Sequence, residues 1–581
     1  MNSSRKIGDW LDERTGWRRL RDEALLEPIP GGAKWAYVFG SGLAFTFLLQ
    51  AITGITMAMY FSPSATDAWA SVWYLQTQVT WGYLVRGLHH FGSSAMVVLA
   101  VIHMVQVFVF GAYRKPRELN WIFGVVLLFL VLGFSLTGYL LPWDQKGYWA
   151  TQVATKIMGS APVLGEYVQR FMQGGTEYGN LTLTRFYALH VFVLPALLVL
   201  VTVGHIYLFR RHGITTPPGM SETARARVDR FWPAQVFKDT VLALAILGTL
   251  LALAIFVGAP LDQPADPTSN YEARPEWYFL FLFQLLKYFE GPMALIGTIV
   301  IPTLGALFLF LLPFLDRAKE RSLRARLPVV IPFVAMIGGA GVLTAIALQS
   351  DANSEDFQKH IAAQNQSAKL ALNYADHGGV DDLGNIILMR GHQLMDDRGC
   401  FGCHAVNGIS TPEEKGGPDL SGFLSREWFL SFLRDPDSAR HFGGLKAEGT
   451  MPSFAELPEA DLLALTEMLV AESGIPPVPP VDAALVAKGR ELFAAGDCST
   501  CHSLTREAVD GPALGGFGSD RWIKRLLNQP GAPDMFGEYN EMPSFEDDLS
   551  DSDVGYVLAY LRYLRDIGPA KSEGEAPQSS R

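Results

Sequence analysis

Seven long apolar stretches, separated by polar and charged segments, dominate the first 348 residues of the chain. Each is close to the length at which a helix crosses a hydrocarbon core of about 30 Å. The pattern therefore predicts a multi-pass, all-α transmembrane bundle. The seven predicted spans cover about 36–60, 88–110, 120–141, 186–209, 237–258, 293–315 and 328–348.

Lysine and arginine concentrate in alternate loops of this bundle, which sets its expected orientation. No segment before the first span resembles a cleavable signal peptide, so we expect the basic amino-terminal segment to stay inside. An odd number of spans then puts everything after about residue 349 outside. We expect a bacterial cytoplasmic membrane protein with a cytoplasmic amino terminus and a periplasmic carboxyl-terminal part. The clusters are Arg14, Arg18, Arg19 and Arg21; Arg114, Lys115 and Arg117; Arg210, Arg211, Arg225, Arg227 and Arg230; and Arg317, Lys319, Arg321, Arg324 and Arg326.

Charge changes sign between the two parts of the chain. The first 348 residues contain 28 basic and 21 acidic residues, a net charge of +7, and the remainder contains 19 basic and 37 acidic residues, a net charge of −18. With 49% hydrophobic residues and a mean hydropathy of +0.17, the chain is too apolar for one soluble domain. An acidic outer part can steer a basic soluble partner, and no nucleic-acid partner is expected.

Two pairs of histidines lie within apolar spans at nearly equal spacing. His89 and His103 are 14 residues apart, and His190 and His205 are 15 apart. About four helical turns separate the members of each pair, so both project from one face of their helix at two depths. Two such helices side by side would hold two non-covalent b haems, with the irons about 21 Å apart along the helix.

Glycines repeat with the same period on two other spans. Gly40 and Gly54 are 14 residues apart on the first span, and Gly124 and Gly138 are 14 apart on the third. A flat macrocycle at each level needs neighbouring helices without side chains there, and glycine supplies that gap. The alternative is ordinary packing glycine of membrane helices. Four histidines and four glycines that share one period favour the haem interpretation, because ionisable residues in membrane spans are usually functional.

All four cysteines lie in two Cys-X-X-Cys-His motifs, Cys400-Phe-Gly-Cys403-His404 and Cys498-Ser-Thr-Cys501-His502. This is the attachment signature of covalent c-type haem, with the histidine as iron ligand. A redox dithiol or half a zinc site is the alternative. Each motif is followed by Met-Pro-Ser-Phe, so the sixth ligands are expected to be Met451 and Met542, with Met535 as the less favoured substitute for the latter.

Segments 388–473 and 486–566 form an internal repeat, which predicts two small α-helical class I cytochrome c domains. Because no cysteine remains after the haem motifs, a Rieske cluster must come from another subunit. The predicted organisation of this part is a polar linker, c domain 1, c domain 2 and a disordered tail, over 349–385, 386–474, 475–566 and 567–581.

Four sequence stretches carry a family resemblance. Residues 1–215 resemble cytochrome b6 and 230–348 resemble subunit IV of the cytochrome b6f complex, so we assign domains over 1–215 and 216–348. The matching stretches are Lys115-Pro-Arg-Glu-Leu119, Thr137-Gly-Tyr-Leu-Leu-Pro-Trp-Asp-Gln145, Leu183-Thr-Arg-Phe-Tyr187 and Pro275-Glu-Trp-Tyr278.

The resemblance implies a quinol–cytochrome c reductase that runs a Q cycle. Quinol would be oxidised at the outer side, with one electron passing through a separate Rieske iron–sulfur protein to the c haems. The other electron would cross the bilayer through the two b haems to reduce quinone inside, which couples the reaction to proton translocation. The implied partners are membrane quinone, a soluble cytochrome c or terminal oxidase as acceptor, and a second copy in a homodimer.

The resemblance also implies roles for individual residues. Glu276 would be the base that takes the quinol proton and Tyr278 would line the pocket, with Pro275, Trp277 and Gly147 beside them. Valine at position 38 replaces the b6 cysteine that tethers an extra inner haem, so no covalently attached third haem is expected there.

At the inner face Arg210 would lie near the quinone-reducing site, and Glu23 or adjacent Asp22 would deliver protons to it. Either acid could equally be a solvated interfacial charge.

Arg86, three residues before His89, is expected to pair with a haem propionate. The remaining histidines show no ligand partner and are expected at the surface: His212, His360, His377, His392 and His441.

A second function class remains open at this point. The same helices and haems could form a passive electron conduit or membrane anchor for a dehydrogenase, without a quinol-oxidising site of its own. The Pro275–Tyr278 stretch argues against it, and oxidant-induced reduction of the b haems distinguishes the two.

Overall fold

A computed structural model describes residues 3–267, 269, 271–378, 382–406, 417–438, 440–441, 451–474, 480–505, 511–533, 535–537 and 540–567. The chain forms two compact units, Met1–Leu372 and Asn373–Arg581. Both are helical, which confirms the all-α prediction. Within the described residues, the named strands are one short antiparallel pair, β1 (Pro28–Pro30) and β2 (Val228–Arg230), with Ile29 opposite Asp229. Residues 475–479, at the start of predicted c domain 2, and most of the predicted tail lie outside the described residues.

The helices of the first unit follow the apolar pattern of the sequence. They are α1 (Ser3–Thr15), α2 (Trp17–Leu25), α3 (Val38–Ala58), α4 (Ala68–Thr77), α5 (Gly82–Phe110), α6 (Glu118–Tyr139), α7 (Gln145–Gly159), α8 (Gly165–Gln173), α9 (Asn180–Ala188), α10 (Leu194–His212), α11 (Glu222–Ala226), α12 (Val236–Phe256), α13 (Leu280–Leu286), α14 (Ile301–Leu315) and α15 (Leu327–Asn353). Helix α16 (Glu355–Gly378) follows α15 and crosses the boundary between the units.

The seven predicted spans are confirmed. Seven stretches of the described chain are long and apolar enough to cross a membrane. They are Trp35–Ala58, Gly82–Phe110, Glu118–Tyr139, Asn180–His212, Phe231–Phe256, Ile296–Leu315 and Arg324–Asn353. Several helices extend beyond the apolar stretch that predicted them, because the helical hydrogen-bond ladder continues through polar turns outside the hydrocarbon.

Helices α3, α5 and α12 pack together, and α6 packs on α10 and on α5. Close crossings depend on small residues: a Cβ built on Gly87 of α5 would lie 2.5 Å from the Cβ of Ala254 on α12. This bundle brings the two histidine-bearing spans and the two glycine-bearing spans next to each other.

A buried arginine connects the ends of three spans. Arg326 is fully buried and donates to the carbonyl oxygens of Phe108 (2.9 Å) and Val109 (2.9 Å) and to the hydroxyl oxygen of Tyr113 (3.1 Å). The Tyr113 hydroxyl in turn donates to Asp316 Oδ2 at 2.6 Å. The sequence placed Arg326 in a basic loop cluster, and the structure adds that it is part of the core at this end of the bundle.

The second unit contains seven further helices. They are α17 (Asp382–Asp397), α18 (Arg426–Arg434), α19 (Glu459–Glu472), α20 (Ala483–Ala495), α21 (Cys498–Cys501), α22 (Asp520–Asn528) and α23 (Asp551–Ile567). The two repeats have matching local structure: Ser425 caps α18 by accepting from Trp428 N, and Ser519 caps α22 by accepting from Trp522 N. The packing between helices crosses the repeats, however, since α17 packs on α23 and α19 packs on α20.

Candidate haem and quinol sites

His89 and His190, on the predicted outer side, form the outer pair, and His103 and His205 form the inner pair. The outer pair comes together within the bundle. His89 lies on α5, and His190 lies on a π-helical turn, Leu189–Val193, between α9 and α10. Their ring centres are 6.2 Å apart. Thr53 Oγ1 is 3.0 Å from His89 Nδ1 and Thr137 Oγ1 is 3.1 Å from His190 Nδ1. A hydrogen bond at Nδ1 fixes the ring orientation and leaves Nε2 for a metal.

The four periodic glycines lie against the four histidines, as their common period predicted. A Cβ built on Gly54 would lie 3.1 Å from His89 Cε1, and one on Gly138 only 2.5 Å from His190 Cε1. At the inner level the corresponding distances are 3.5 Å between Gly40 and His103 Cε1 and 3.4 Å between Gly124 and His205 Cε1. A side chain at any of these positions would fill the space beside the imidazole.

The inner pair borders a cavity of about 510 Å³. His205 Nδ1 is 3.0 Å from the carbonyl oxygen of Asn120, which orients this ring. The cavity is lined by His103, His205, Gly40, Gly124 and apolar side chains of several helices. Its volume and largely apolar walls are typical of a site for a cofactor-sized ligand.

These residues fit two b haems. A metal–imidazole bond is about 2 Å long, so one iron can be ligated between the rings of His89 and His190 at the observed separation. The glycines leave the adjoining space free of side chains, and the inner pair has a cavity beside it. Val38, where a tethering cysteine would be needed, is buried at the start of α3.

Arg86 makes contacts that the sequence did not reveal. Its guanidinium donates to the carbonyl oxygens of Ala259 (2.8 Å) and Pro260 (2.5 Å) and to Gln76 Oε1. The residue is buried and ties the start of α5 to the loop after α12. The propionate role stays a prediction.

The predicted base at the outer side has a cationic partner. Glu276 precedes a short 3-10 turn, Trp277–Phe279, and its Oε1 accepts from Lys146 Nζ at 2.9 Å. Trp277 Nε1 donates to Ser94 Oγ (3.2 Å) on the helix that carries His89. Tyr278 is buried in an apolar cluster with Met96 of the same helix.

Two loops that are distant in sequence pair to form this region. Gln145 N donates to Gln263 O (2.9 Å) and Ala265 N donates to Trp143 O (3.0 Å). Asp144 caps α7 by accepting from Gly147 N, so Gly147 is fixed beside the ion pair of Lys146. The pairing brings Lys146 into contact with the loop that holds Glu276.

Two buried carboxyls support the paired loops. Asp262 N lies 3.3 Å from Asp144 Oδ2, and Tyr271 donates to Asp262 Oδ2 at 2.7 Å. Burial raises the pKa of both carboxyls, that of Asp262 to about 6, and the charge of Asp144 adds to the rise at Asp262.

At the opposite end of the bundle the structure brings a different acid to Arg210. Arg210 pairs with Glu27, Nη1 to Oε2, at 2.9 Å, and both line the inner cavity together with Asp239. The side chain of Glu23 pairs with Arg19, and Asp22 pairs with Arg21. The carbonyl oxygen of Glu23 also accepts from Arg210 Nη1 at 3.1 Å, so the assignment of Glu23 or Asp22 stays a prediction. Glu27 and Asp239, which the sequence analysis did not select, are carboxylates that line the cavity.

The two c motifs have the same geometry at their histidines. His404 Nδ1 is 2.8 Å from the carbonyl oxygen of Pro418, and His502 Nδ1 is 2.9 Å from that of Pro512. A Cβ built on the glycine before each proline would lie 2.5 Å from His404 Cε1 or 2.8 Å from His502 Cε1. Each imidazole is thereby oriented with Nε2 available to an iron.

The four cysteines of these motifs are free thiols, as covalent attachment requires. Burial raises the pKa of Cys400 to about 11 and also raises that of Cys498. Cys403 and Cys501 are exposed. One sheltered and one exposed thiol in each motif fits a porphyrin that is held along its edge, and these residues therefore fit two c haems.

The predicted methionine ligands lie on loops of similar structure. Phe454 N donates to Leu433 O in the Met451 loop, and Phe545 N donates to Leu527 O in the Met542 loop. Met451 and Met542 are partly buried. Met535, the less favoured substitute, is fully buried beside α22.

Two histidines expected at the surface are buried, so that expectation was wrong for them. His392 is 6% exposed and His441 is 1% exposed. His392 Nδ1 is 3.1 Å from the Tyr560 hydroxyl and His441 Nε2 is 3.0 Å from Ser431 Oγ. A hydrogen-bonded partner, from a distant helix for His392 and from the nearby α18 for His441, makes burial of each neutral ring possible.

Three protein families match the chain. The family described as "Cytochrome b(N-terminal)/b6/petB" matches residues 94–264, and "Cytochrome b(C-terminal)/b6/petD" matches residues 264–363. The family described as "Cytochrome C oxidase, cbb3-type, subunit III" matches residues 484–561, which include the second c motif.

Several named proteins are similar to the first unit. A cytochrome bc complex cytochrome b subunit of Chlorobaculum thiosulfatiphilum is 39% identical over 291 residues, which are 50% of this chain and 68% of that protein. The menaquinol:cytochrome c reductase cytochrome b subunit of Bacillus subtilis is 42% identical over 220 residues, 36% of this chain and 98% of that protein. Cytochrome b6 of Cyanidium caldarium is 40% identical over 212 residues, 36% of this chain and 99% of that protein.

A solved structure is also similar. A chain of a hyperthermophilic respiratory Complex III matches with a TM-score of 0.53 and 26% sequence identity. The match covers 64% of this chain and 99% of that one.

Proposed function

Because the chain belongs to the cytochrome b/b6 family and carries a cytochrome c region, we propose that it is the cytochrome b and c subunit of a quinol:cytochrome c oxidoreductase running a Q cycle. The relatives include a cytochrome bc complex subunit and a menaquinol:cytochrome c reductase subunit. The observation that carries the proposal is the approach of the Glu276 loop to the helix of His89.

Glu276 takes the proton of the quinol hydroxyl in this mechanism. Its carboxylate has two oxygens, so the ion pair of Oε1 with Lys146 is compatible with proton acceptance at Oε2. Tyr278 and the paired loops exclude water from one side of the site, and Gly147 packs closely on the preceding helix, since a Cβ on it would lie 2.5 Å from Tyr139 O.

The histidine pairs hold the carriers that connect the two faces. When bound, the b haems would supply one-electron transfer from the outer level to the inner level, about 21 Å along α5 at the helical rise per residue. At the inner level Arg210, Glu27 and Asp239 line the cavity beside the inner histidine pair, and the quinone that takes the electron from the inner haem would bind next to them. Glu27 holds Arg210 at 2.9 Å and is placed to deliver protons there, a role the sequence had suggested for Glu23 or Asp22.

The partners follow from the same scheme. Quinol oxidation at the outer side sends one electron to a separate Rieske protein, since every cysteine of this chain lies in a c motif. The acidic c region would pass that electron to a soluble cytochrome c or an oxidase. The c region would lie on the periplasmic side of a bacterial cytoplasmic membrane, and the complex would be a homodimer.

Glu276→Gln tests the proposal directly. Loss of the base is expected to lower quinol oxidation by about a hundredfold, while the b and c haem spectra stay unchanged. Glu272→Gln is the matched control, because Glu272 belongs to the same loop but pairs with Arg274. Equal activity of the Glu276→Gln and Glu272→Gln variants would contradict the role of Glu276.

Oxidant-induced reduction of the b haems separates this function from a passive conduit. A bifurcating site is expected to reduce the b haems when an oxidant is added in the presence of quinol. A complex that shows no such reduction, although its haems are intact, would be a conduit or an anchor.

A further inference from the structure

The first helix of the first c repeat packs on the last helix of the second repeat. A Cβ built on Gly391 of α17 would lie 2.2 Å from the carbonyl oxygen of Tyr556 and 2.7 Å from the Cβ of Tyr560, both on α23. The neighbouring His392 makes a 3.1 Å hydrogen-bond contact with the Tyr560 hydroxyl. The helix immediately before the first motif is therefore held against the carboxyl-terminal helix.

The first helix of the second repeat packs on the last helix of the first repeat. A Cβ built on Gly489 of α20 would lie 2.2 Å from the carbonyl oxygen of Ala464 and 2.6 Å from the Cβ of Met468, both on α19. Two ion pairs border this crossing, Lys488 with Asp461 and Arg490 with Glu472. A glycine thus marks the equivalent crossing in both repeats, and each crossing joins one repeat to the other.

The methionine loop of the first repeat shares an apolar cluster with the motif of the second. The cluster consists of Leu433, Leu462, Leu465, Met468 and Phe493, and Met451 and Cys498 both pack against it. Phe493 is on α20, five residues before Cys498, whereas the other four members come from the first repeat.

The methionine loop of the second repeat is joined to the motif of the first in the same way. Ser544 Oγ donates to the carbonyl oxygen of Asn528 at 2.5 Å, which fixes the Met542 loop to the end of α22. Just after this loop, Asp548 O accepts from Arg398 Nη2 at 2.6 Å, two residues before Cys400.

The chain that follows the first motif also packs on the second repeat. Gly422 N donates to the carbonyl oxygen of Leu564 on α23 at 3.0 Å. Phe423 and Leu424 border a small pocket with Ile523 of α22 and Leu558 of α23. The chain that follows the first motif is thus held against α22 and α23.

We propose that the two c haems exchange their methionine ligands between the repeats: Met542 ligates the iron held by His404, and Met451 ligates the iron held by His502. The histidine and the methionine that ligate one iron then come from different repeats and are far apart in sequence, although they are close in space. Two interleaved modules result, with an exchange point near Leu424. The proposal rests on the haem attachment proposed above for the two motifs and is independent of quinol oxidation.

Full-length complexes that lack one c haem test the pairing. Cys498→Ala together with Cys501→Ala leaves only the haem of the first motif. In this background Met542→Leu is expected to abolish the thioether–iron absorption band and lower the midpoint potential of the remaining haem c. Met451→Leu is expected to leave both unchanged. The opposite result, or no change with Met542→Leu, overturns the exchange.

The reciprocal background gives an independent answer. With Cys400→Ala and Cys403→Ala, only the haem of the second motif remains, and Met451→Leu is now the substitution expected to remove the band. Met395→Leu is the control, because Met395 is a buried core residue of α17 and this volume-conserving change leaves packing nearly intact.

A histidine substitution at the same positions tests the pairing even if a leucine variant loses its haem. Met542→His retains a sixth ligand, so in the first-motif background it is expected to produce a bis-histidine spectrum with a lowered potential. Met451→His in that background is expected to leave the methionine–histidine spectrum in place. A bis-histidine spectrum with Met451→His would instead show pairing within a repeat. The readout is ligation of a c haem, so a failure of quinol turnover does not affect it.

Discussion

Glycines define the depth of the two proposed b-haem sites as closely as the histidines do. Each of the four lies against one imidazole, and the distances from a built Cβ to the ring range from 2.5 to 3.5 Å. This register could be predicted from sequence, because a common period of 14 or 15 residues reports directly on helix geometry. The contacts of Lys146 with Glu276 and of Arg210 with Glu27 could not, since they join positions 130 and 183 residues apart.

Gly138→Ala is expected to prevent binding of the outer b haem and to leave the inner one in place. The added Cβ would lie 2.5 Å from His190 Cε1, and a backbone-attached methyl cannot move away. Separate redox titration of the two b haems measures this. Gly133→Ala on the same helix is the matched control, because the nearest atoms to its Cβ are Leu194 methyls at 3.9 Å. Retention of both b haems in Gly138→Ala would contradict the cradle assignment.

At the scale of elements, the sequence predicted which helices exist and in what order better than it predicted which helices pack together. The seven spans and the two c repeats follow from hydropathy and motif spacing, which are local properties of the chain. Burial of Arg326 and His392 depends on partners from distant elements, so the sequence around each residue did not indicate that it is buried. The packing of α17 on α23 could not be predicted for the same reason. Each repeat contains a closing helix on which its own first helix could pack, so the sequence does not show that the partner comes from the other repeat.

Arg326→Met is expected to destabilise the junction of the second, sixth and seventh spans by about 3–5 kcal/mol, because it leaves a buried network without its cation. The substitution removes three donors from Phe108 O, Val109 O and the Tyr113 hydroxyl. The midpoint of thermal unfolding of the complex in detergent is the measurement. Arg324→Met, at an exposed position two residues earlier, is expected to change it little. Similar midpoints for the two variants would refute the role given to Arg326.

His392 makes the stability of the c unit dependent on pH. Burial lowers the pKa of His392 to about 4, below its ordinary 6.5. As the pH falls, His392 therefore takes up a proton in the unfolded chain before it does so in the folded one. The free energy of unfolding that the neutral His392 contributes is complete above pH 6.5 and is lost as the pH falls toward 4. The difference corresponds to about 3 kcal/mol at neutral pH.

Thermal unfolding of the c unit at pH 7, 6 and 5, followed by haem c absorption, checks this expectation. The wild-type midpoint should fall with pH, and His392→Gln should fall less steeply. If the midpoints of the two proteins fall equally with pH, the protonation of His392 does not change on unfolding.

For the whole molecule, charge is divided between a membrane part of net +7 and a carboxyl-terminal part of net −18. Exposed charges act on diffusing partners over about 8–10 Å at physiological salt. The membrane architecture and this asymmetry were readable from composition. The interleaving of the two c repeats was not, because it is a property of the complete chain.

Electron transfer to a basic soluble cytochrome c is expected to slow as ionic strength rises, since salt screens its attraction to the acidic outer part. The second-order rate constant measured from about 20 to about 200 mM salt tests this, and a fall of about tenfold or more is expected. An acidic cytochrome c is the control and should show a flat or opposite dependence. Identical salt dependence for both acceptors would mean that the net charge does not steer the encounter.

The crossing of α17 with α23 has a consequence for biogenesis. Helix α23, which packs on the helix before Cys400 and Cys403, comes after every other described helix of the two repeats. Helices α19 and α20, around Cys498 and Cys501, are neighbours in the chain. The second motif can therefore mature first, although its codons are translated later. A chain truncated just before α22 would keep His502 and the packing of α19 on α20, and it would lose α22 and α23, which contact the chain of the first motif. This is the reverse of what the order of the motifs suggests.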